Sequence, residues 1–166
     1  PLSIAMAVTI KVGYAVGEKK FNQAREVTNH AFITGLIIAA FTASATYALR
    51  TQIADIYSND IEVITLAASL MFLACLYQFS DAIQVISAGA LRGYKDTKAI
   101  LWITFISYWL VGLTIGYTLA ISDNLVTAMG AKGFWIGFII GLSAAAVLLY
   151  IRLRRIQTRQ ISSIAE

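Results

Sequence analysis

The sequence predicts an all-α integral membrane protein with five transmembrane helices. Hydrophobic residues make up 58% of the chain and charged residues only 13%, whereas soluble domains are about a quarter charged. The mean hydropathy is +0.72. The apolar residues form long continuous segments without the period-two alternation of membrane strands, and segments of about 20 apolar residues cross a bilayer as helices.

Five apolar segments account for most of the chain. They cover approximately residues 1–16, 30–49, 62–91, 99–121 and 133–151. The first is short for a full crossing. The third is longer than a bilayer requires, so its helix must tilt, bend or extend beyond the hydrocarbon core.

Glycines recur at four-residue spacing in the last three segments. They form the sets Gly89/Gly93, Gly112/Gly116 and Gly133/Gly137/Gly141. Small residues at this spacing let membrane helices approach closely, so the triple set predicts that the fifth helix is a packing helix.

The basic residues predict the orientation. Ten of the thirteen Lys and Arg residues flank the segments on one side of the predicted membrane. They are Lys19, Lys20, Arg25, Arg92, Lys95, Lys98, Arg152, Arg154, Arg155 and Arg159. The other side carries Arg50 and Lys132 with Asp55, Asp60, Glu62 and Asp123. The positive-inside rule therefore predicts an external N-terminus and a cytoplasmic basic tail at residues 152–166.

The same charge placement explains the net charge of +4 without a nucleic-acid partner. The chain opens on an apolar segment with no initiator Met, and five spans with an external N-terminus are awkward for a complete protein. We therefore expect this chain to be the C-terminal part of a longer one.

Asp81 is the most informative residue, because it is the only charged residue between Val63 and Leu91. A carboxylate near the middle of a membrane helix costs about 2.5–3.5 kcal/mol on insertion scales. Such a residue is usually kept because an ion, a proton or a substrate uses it, although pairing within a bundle is the alternative.

Polar residues accompany Asp81 on one face of its helix. Tyr77 lies four residues before it and Gln84 three after it, while Gln78 flanks the same side. Lipid cannot satisfy this stripe, so it should face protein or a water-filled cavity. A carboxylate and a phenol offer oxygen ligands to a small cation, and a desolvated carboxylate can instead carry a proton.

Other candidates have weaker support. Tyr108 and Trp109 could contact an organic cation through their rings, but packing or lipid contact explains them better. Lys11 can reach the interface with its long side chain, and Cys75 is expected to be a buried apolar residue. His30 has no His or Cys cluster around it, so no metal site is expected beyond an Na⁺ site at Asp81. No catalytic triad, Walker loop or dinucleotide motif is present, which predicts a protein that is not an enzyme.

Four stretches resemble a known family. They are IKVGYAVGEKKFNQA, YQFSDAIQVISAGALRGYKDTK, SYWLVGLTIGYTLA and MGAKGFWIGFIIGL. They are similar to the second half of multidrug and toxic compound extrusion (MATE) transporters, in the NorM-like bacterial branch. The resemblance covers essentially the whole chain, and QFSDAIQ…GALRGYKDT is its most specific element.

The resemblance implies a twelve-helix protein of the bacterial inner membrane, built from two six-helix lobes. This chain would provide helices eight to twelve, most of the C-terminal lobe, and the N-terminal lobe would be its partner. The family exports organic, often cationic, drugs by alternating access in exchange for Na⁺ or H⁺, with no other cofactor. Its cation-binding tyrosine and carboxylate of the tenth helix correspond to Tyr77 and Asp81. An acidic residue of the seventh helix would lie upstream.

One departure from the family pattern concerns the eleventh helix, where Thr114 follows Gly112 and Leu113 in place of a proline. Thr114 retains the backbone N–H that proline lacks, so no proline bend is expected there. Two other functions stay open. One is a lipid-linked oligosaccharide flippase of the same superfamily, and the other is a non-transporting membrane subunit in which Asp81 pairs with a partner helix.

Overall fold

The computed structural model describes residues 1–57, 59–121 and 129–162, and every regular element in these ranges is a helix. The helices are α1 (Leu2–Gly17), α2 (Phe21–Tyr57), α3 (Ile61–Gly93), α4 (Thr97–Ile121) and α5 (Ala131–Ser162). By length and composition α2, α3, α4 and α5 can each cross a membrane, whereas α1 is a shorter apolar helix of 16 residues. The predicted all-α class with five helices is confirmed.

Two helices extend well beyond the apolar segments that predicted them. The second was expected over 30–49, but α2 runs over Phe21–Tyr57. The fifth was expected over 133–151, but α5 continues through the basic tail as far as Ser162. Hydropathy marks only the part of a helix suited to lipid, whereas the backbone hydrogen bonds that define the helix continue wherever side chains permit. The turn between α1 and α2 is therefore only three residues long, whereas the first two apolar segments are separated by residues 17–29.

Two short turns, after α1 and after α3, have the same backbone geometry. Lys19 and Lys95 both adopt left-handed conformations, with φ of 60° and 61°. The N–H of Lys20 donates to the carbonyl of Ala15 at 2.8 Å, and the N–H of Asp96 donates to the carbonyl of Leu91 at 2.9 Å. These are Schellman caps, in which glycine usually occupies the left-handed position.

Contacts between α2 and α3 show that these two helices run in opposite directions. Gln78 and Cys75 on α3 contact Thr42 and Ala43 on α2. Further toward the C-terminal end of α3, Ile86 lies against Gly35. Residue numbers therefore increase along α3 in the direction in which they decrease along α2, so the two helices are antiparallel.

The basic ends lie together at one end of this bundle. An ion pair joins Arg152 on α5 to Asp96 after α3 at 2.7 Å, and α1 reaches the same end because Val12 and Gly13 pack against Gly93. Among the acidic residues expected at the opposite end, Asp123 lies outside the described residues.

Glycines set the closest helix contacts. A Cβ atom on Gly133 would lie 2.6 Å from the backbone nitrogen of Ala120, and one on Gly141 would lie 2.8 Å from the Cα of Gly112. Gly137 meets the backbone of Gly116 between them. This confirms that α5 is a packing helix, with α4 as its partner.

The core is concentrated toward the basic end of the bundle. It joins α1, α2, α3 and α5 through apolar side chains that include Val12, Phe32, Ile86, Leu91 and Leu149. Many large apolar side chains elsewhere are exposed. An apolar exterior of this kind suits a bilayer or further helices rather than water.

Candidate functional site

Asp81 lies two-thirds of the way along α3, half-buried among the helices. The hydroxyl of Tyr77 donates to Oδ1 of Asp81 at 3.4 Å. The ring of Tyr77 stacks on Phe138 of α5, with centroids 5.6 Å apart and planes 18° from parallel. Because α5 holds the ring, the phenol oxygen stays beside the carboxylate, and the two groups present oxygen atoms at one point of the bundle.

Two polar contacts fix α3 against its neighbours at this level. The hydroxyls of Ser80 and Ser143 hydrogen bond at 2.8 Å, joining α3 to α5 immediately beside Asp81. On the other flank the hydroxyl of Thr42 donates to Oε1 of Gln78 and joins α3 to α2. Gln78 is therefore engaged between helices in this structure.

Three further residues were predicted to line the site, namely Gln84, Tyr108 and Trp109. Gln84 is half-buried one turn beyond Asp81 on α3. Tyr108 of α4 is half-buried and close enough to interact electrostatically with both Asp81 and Tyr77. Trp109 is 60% exposed and stacks on Phe105 at 6.1 Å. The structure thus places Tyr108 within electrostatic range of the Asp81–Tyr77 pair and Trp109 on an exposed aromatic surface of α4.

Tyr108 belongs to a π-helical segment, Ile106–Leu113, within α4. The α-helix resumes at Thr114, the residue that stands where the family pattern has a proline. Helix α4 therefore continues through this position. The segment lies where Gly112 packs against Gly141. π-helical turns are rare and frequently occur at functional sites.

Sequence reasoning missed Ser80, Ser143, Phe138 and Thr42. Ser80 could have been noted as the neighbour of Asp81. The other three lie on helices far away in sequence, and only helix packing shows which of their residues meet α3.

The MatE family model matches residues 1–118 of this chain. The chain belongs to the MatE family. This match includes α1, α2, α3 and most of α4, and thus the Asp81–Tyr77 pair.

Curated relatives of this MatE chain are close in sequence. It is 53% identical over 159 residues to the probable multidrug resistance protein NorM of Pasteurella multocida, covering 96% of this chain and 34% of that protein. It is 48% identical over 166 residues to the multidrug resistance protein MdtK of Edwardsiella ictaluri, covering 100% of this chain and 36% of that protein. The chain therefore spans about a third of the length of these relatives.

Solved structures share the fold of this MatE chain. An inward-facing multidrug resistance MATE family transporter of the MOP superfamily superposes with a TM-score of 0.84 at 18% identity, covering 95% of this chain and 36% of that one. The eukaryotic MATE transporter AtDTX14 superposes with a TM-score of 0.82 at 22% identity, covering 96% of this chain and 37% of that one. At these identities the likeness concerns the fold.

Proposed function

We propose that this chain forms most of the C-terminal lobe of a twelve-helix secondary transporter. In this proposal the transporter lies in the bacterial inner membrane and exports organic cations in exchange for Na⁺ or H⁺. Asp81 is the coupling carboxylate and Tyr77 its partner. The observation that carries the proposal is the Asp81–Tyr77 hydrogen bond within the apolar helix α3 of a MatE chain.

The chemistry of the pair supports ion coupling. A half-buried carboxylate in a membrane helix is costly unless it pairs with something, and a 3.4 Å hydrogen bond from a neutral phenol is a weak partner. Na⁺ would gain the carboxylate and phenol oxygens as two ligands from this chain. A proton would neutralise Asp81 directly, so both ions fit these residues.

The names of the relatives favour drugs as the class of substrate. Both curated relatives are named multidrug resistance proteins, which supports drug export over oligosaccharide flipping, and transport over catalysis. The ring of Tyr77 lies beside Asp81, and rings beside a carboxylate suit organic cations. In this proposal Tyr108 lines the same site. We place the basic ends of the helices in the cytoplasm by the positive-inside rule.

The test is transport by a full-length protein that carries this chain, purified into vesicles. A fluorescent organic cation would be placed on the cytoplasmic side, and Na⁺ or H⁺ gradients imposed separately. We expect one inward ion gradient to drive export of the cation and its collapse to stop export. Export that proceeds equally with no ion gradient would contradict secondary transport.

A further inference from the structure

A cleft of about 400 Å³ opens between α2 and α5, with α3 as its floor. Its walls are apolar and include Phe32, Leu36, Ile83 and Val147. The Ser80–Ser143 hydrogen bond lies at its inner end, and Tyr150 and Arg154 line its other end. The volume falls within the range of about 300–1,000 Å³ that is common for small-molecule sites.

Arg154 is held in place at the mouth of the cleft. Its guanidinium lies 4.8 Å from the ring centre of Tyr150 and 5.9 Å from that of Phe32. It also donates to Oε1 of Gln157 at 3.2 Å. The ion pairs found among the described residues involve Lys20 and Arg152, so Arg154 is held by rings and an amide rather than by a carboxylate.

A second, basic hollow continues from this mouth along the surface of α5. It shares Tyr150 and Arg154 with the cleft and adds Arg155 and Arg159. Both added arginines are exposed. An apolar cleft that ends on three arginines repels cationic compounds and attracts an anionic headgroup with an apolar tail.

The length of the cleft matches one layer of lipid. Ser143 and Arg154 are eleven residues apart on α5, which corresponds to a rise of roughly 16 Å. The hydrocarbon core of a bilayer is about 30 Å thick, so one leaflet has about half that depth. An acyl chain lying along the cleft would therefore reach Ser143 with its headgroup level with Arg154.

We propose that this cleft binds an anionic phospholipid. One acyl chain lies between α2 and α5, and Arg154, Arg155 and Arg159 bind the phosphate. Basic pockets between membrane helices are suited to anionic headgroups. The lipid belongs to the leaflet at the basic end of the bundle, which is the cytoplasmic leaflet in the orientation proposed above.

Thermal melting of the full-length protein in detergent tests this site without any transport measurement. We expect dioctanoyl phosphatidylglycerol to raise the melting temperature saturably, and dioctanoyl phosphatidylcholine to require a much higher concentration. Arg154→Gln should raise the phosphatidylglycerol concentration needed for half of the melting shift about fivefold, the change in affinity expected for the loss of one basic residue. Val147→Phe should weaken it by filling the cleft. Since Val147 is 56% exposed, this change leaves the core packing alone.

The matched control is Arg50→Gln at the opposite end of the bundle. Arg50 also lies over a tyrosine ring, 4.1 Å from the centre of Tyr47, and it lines a separate hollow to which no second arginine contributes. The Arg50→Gln variant should show the same rise in melting temperature with phosphatidylglycerol as the wild type. Equal effects of the two lipids, an equal loss in Arg50→Gln, or an unchanged response in Val147→Phe would each overturn the proposal. The proposal would also be overturned if glycerol phosphate reproduced the full rise in melting temperature, because the site would then bind phosphate without needing a lipid chain.

Discussion

Tyr77 and Asp81 are joined by a hydrogen bond of 3.4 Å across one turn of α3, and Phe138 of α5 holds the tyrosine ring. The bond is long for a hydroxyl and a carboxylate. Asp81 is therefore oriented without being strongly satisfied, as the proposed coupling to a cation or a proton requires.

Asp81→Asn in the full-length protein should abolish gradient-driven export and leave insertion and folding largely intact. Asparagine keeps the size and part of the hydrogen bonding but removes the charge that binds a cation or exchanges a proton. Export per folded molecule, measured in vesicles, checks this. Asp55→Asn, at an exposed position on α2, is the matched control and should transport normally. Wild-type export and ion dependence in Asp81→Asn would reject the coupling role.

Tyr77→Phe should be milder than Asp81→Asn, because it removes one hydroxyl ligand and keeps the ring stacked on Phe138. We expect export to persist but to require a higher ion concentration. Titrating export against Na⁺ and against pH in the same vesicles measures this shift. If the phenol is only a packing group, the ion dependence will equal that of the wild type.

Gly137→Ala should destabilise the protein by about 1–3 kcal/mol, the usual cost of overpacking. A Cβ at this position would overlap the backbone of Gly116 and lie 2.7 Å from the carbonyl oxygen of Gly112, so α4 and α5 would have to separate. Gly17→Ala is the control, because a Cβ there meets nothing within 4 Å. Thermal melting in detergent should fall for the first and hold or rise slightly for the second. An unchanged melting temperature for Gly137→Ala would contradict the packing described here.

Lys95→Gly should stabilise the protein by about 1 kcal/mol. Lys95 has a φ of 61°, a conformation that costs residues with a Cβ about 1–2 kcal/mol and costs glycine little. Lys95→Ala removes the same charge but keeps the Cβ, so it separates the backbone effect from the loss of charge. Only the glycine variant should melt at a higher temperature. A matching gain in Lys95→Ala would show that charge, and not backbone conformation, is responsible.

Cysteine labelling should reveal the predicted orientation. In a Cys75→Ala background, Lys95→Cys should react with a membrane-impermeant reagent only from the cytoplasmic side, and Ala131→Cys only from outside. Both positions are exposed, whereas native Cys75 is 7% exposed and should react slowly before its replacement. Labelling of Lys95→Cys from outside intact cells would reverse the orientation.

The class of the protein, the number of its helices and the helix that carries the candidate site could all be predicted from the amino-acid sequence. These properties depend on local features, because hydropathy over about 20 residues reports a membrane helix. A spacing of four residues places Tyr77 beside Asp81 on any α-helix. Even the glycine spacing on α5 was readable, because small residues on one face favour close approach whatever the partner.

The surroundings of those residues became visible only in the three-dimensional structure. It paired Gly137 with Gly116, Ser80 with Ser143 and Tyr77 with Phe138. It also extended α2 and α5 past their apolar segments, since helical hydrogen bonding does not stop where hydropathy falls. Contacts between helices depend on how each is rotated and shifted against its neighbours. The rotation and shift of each helix minimise the free energy of the whole bundle. They therefore depend on residues that are far apart in the sequence and cannot be inferred from a fixed spacing.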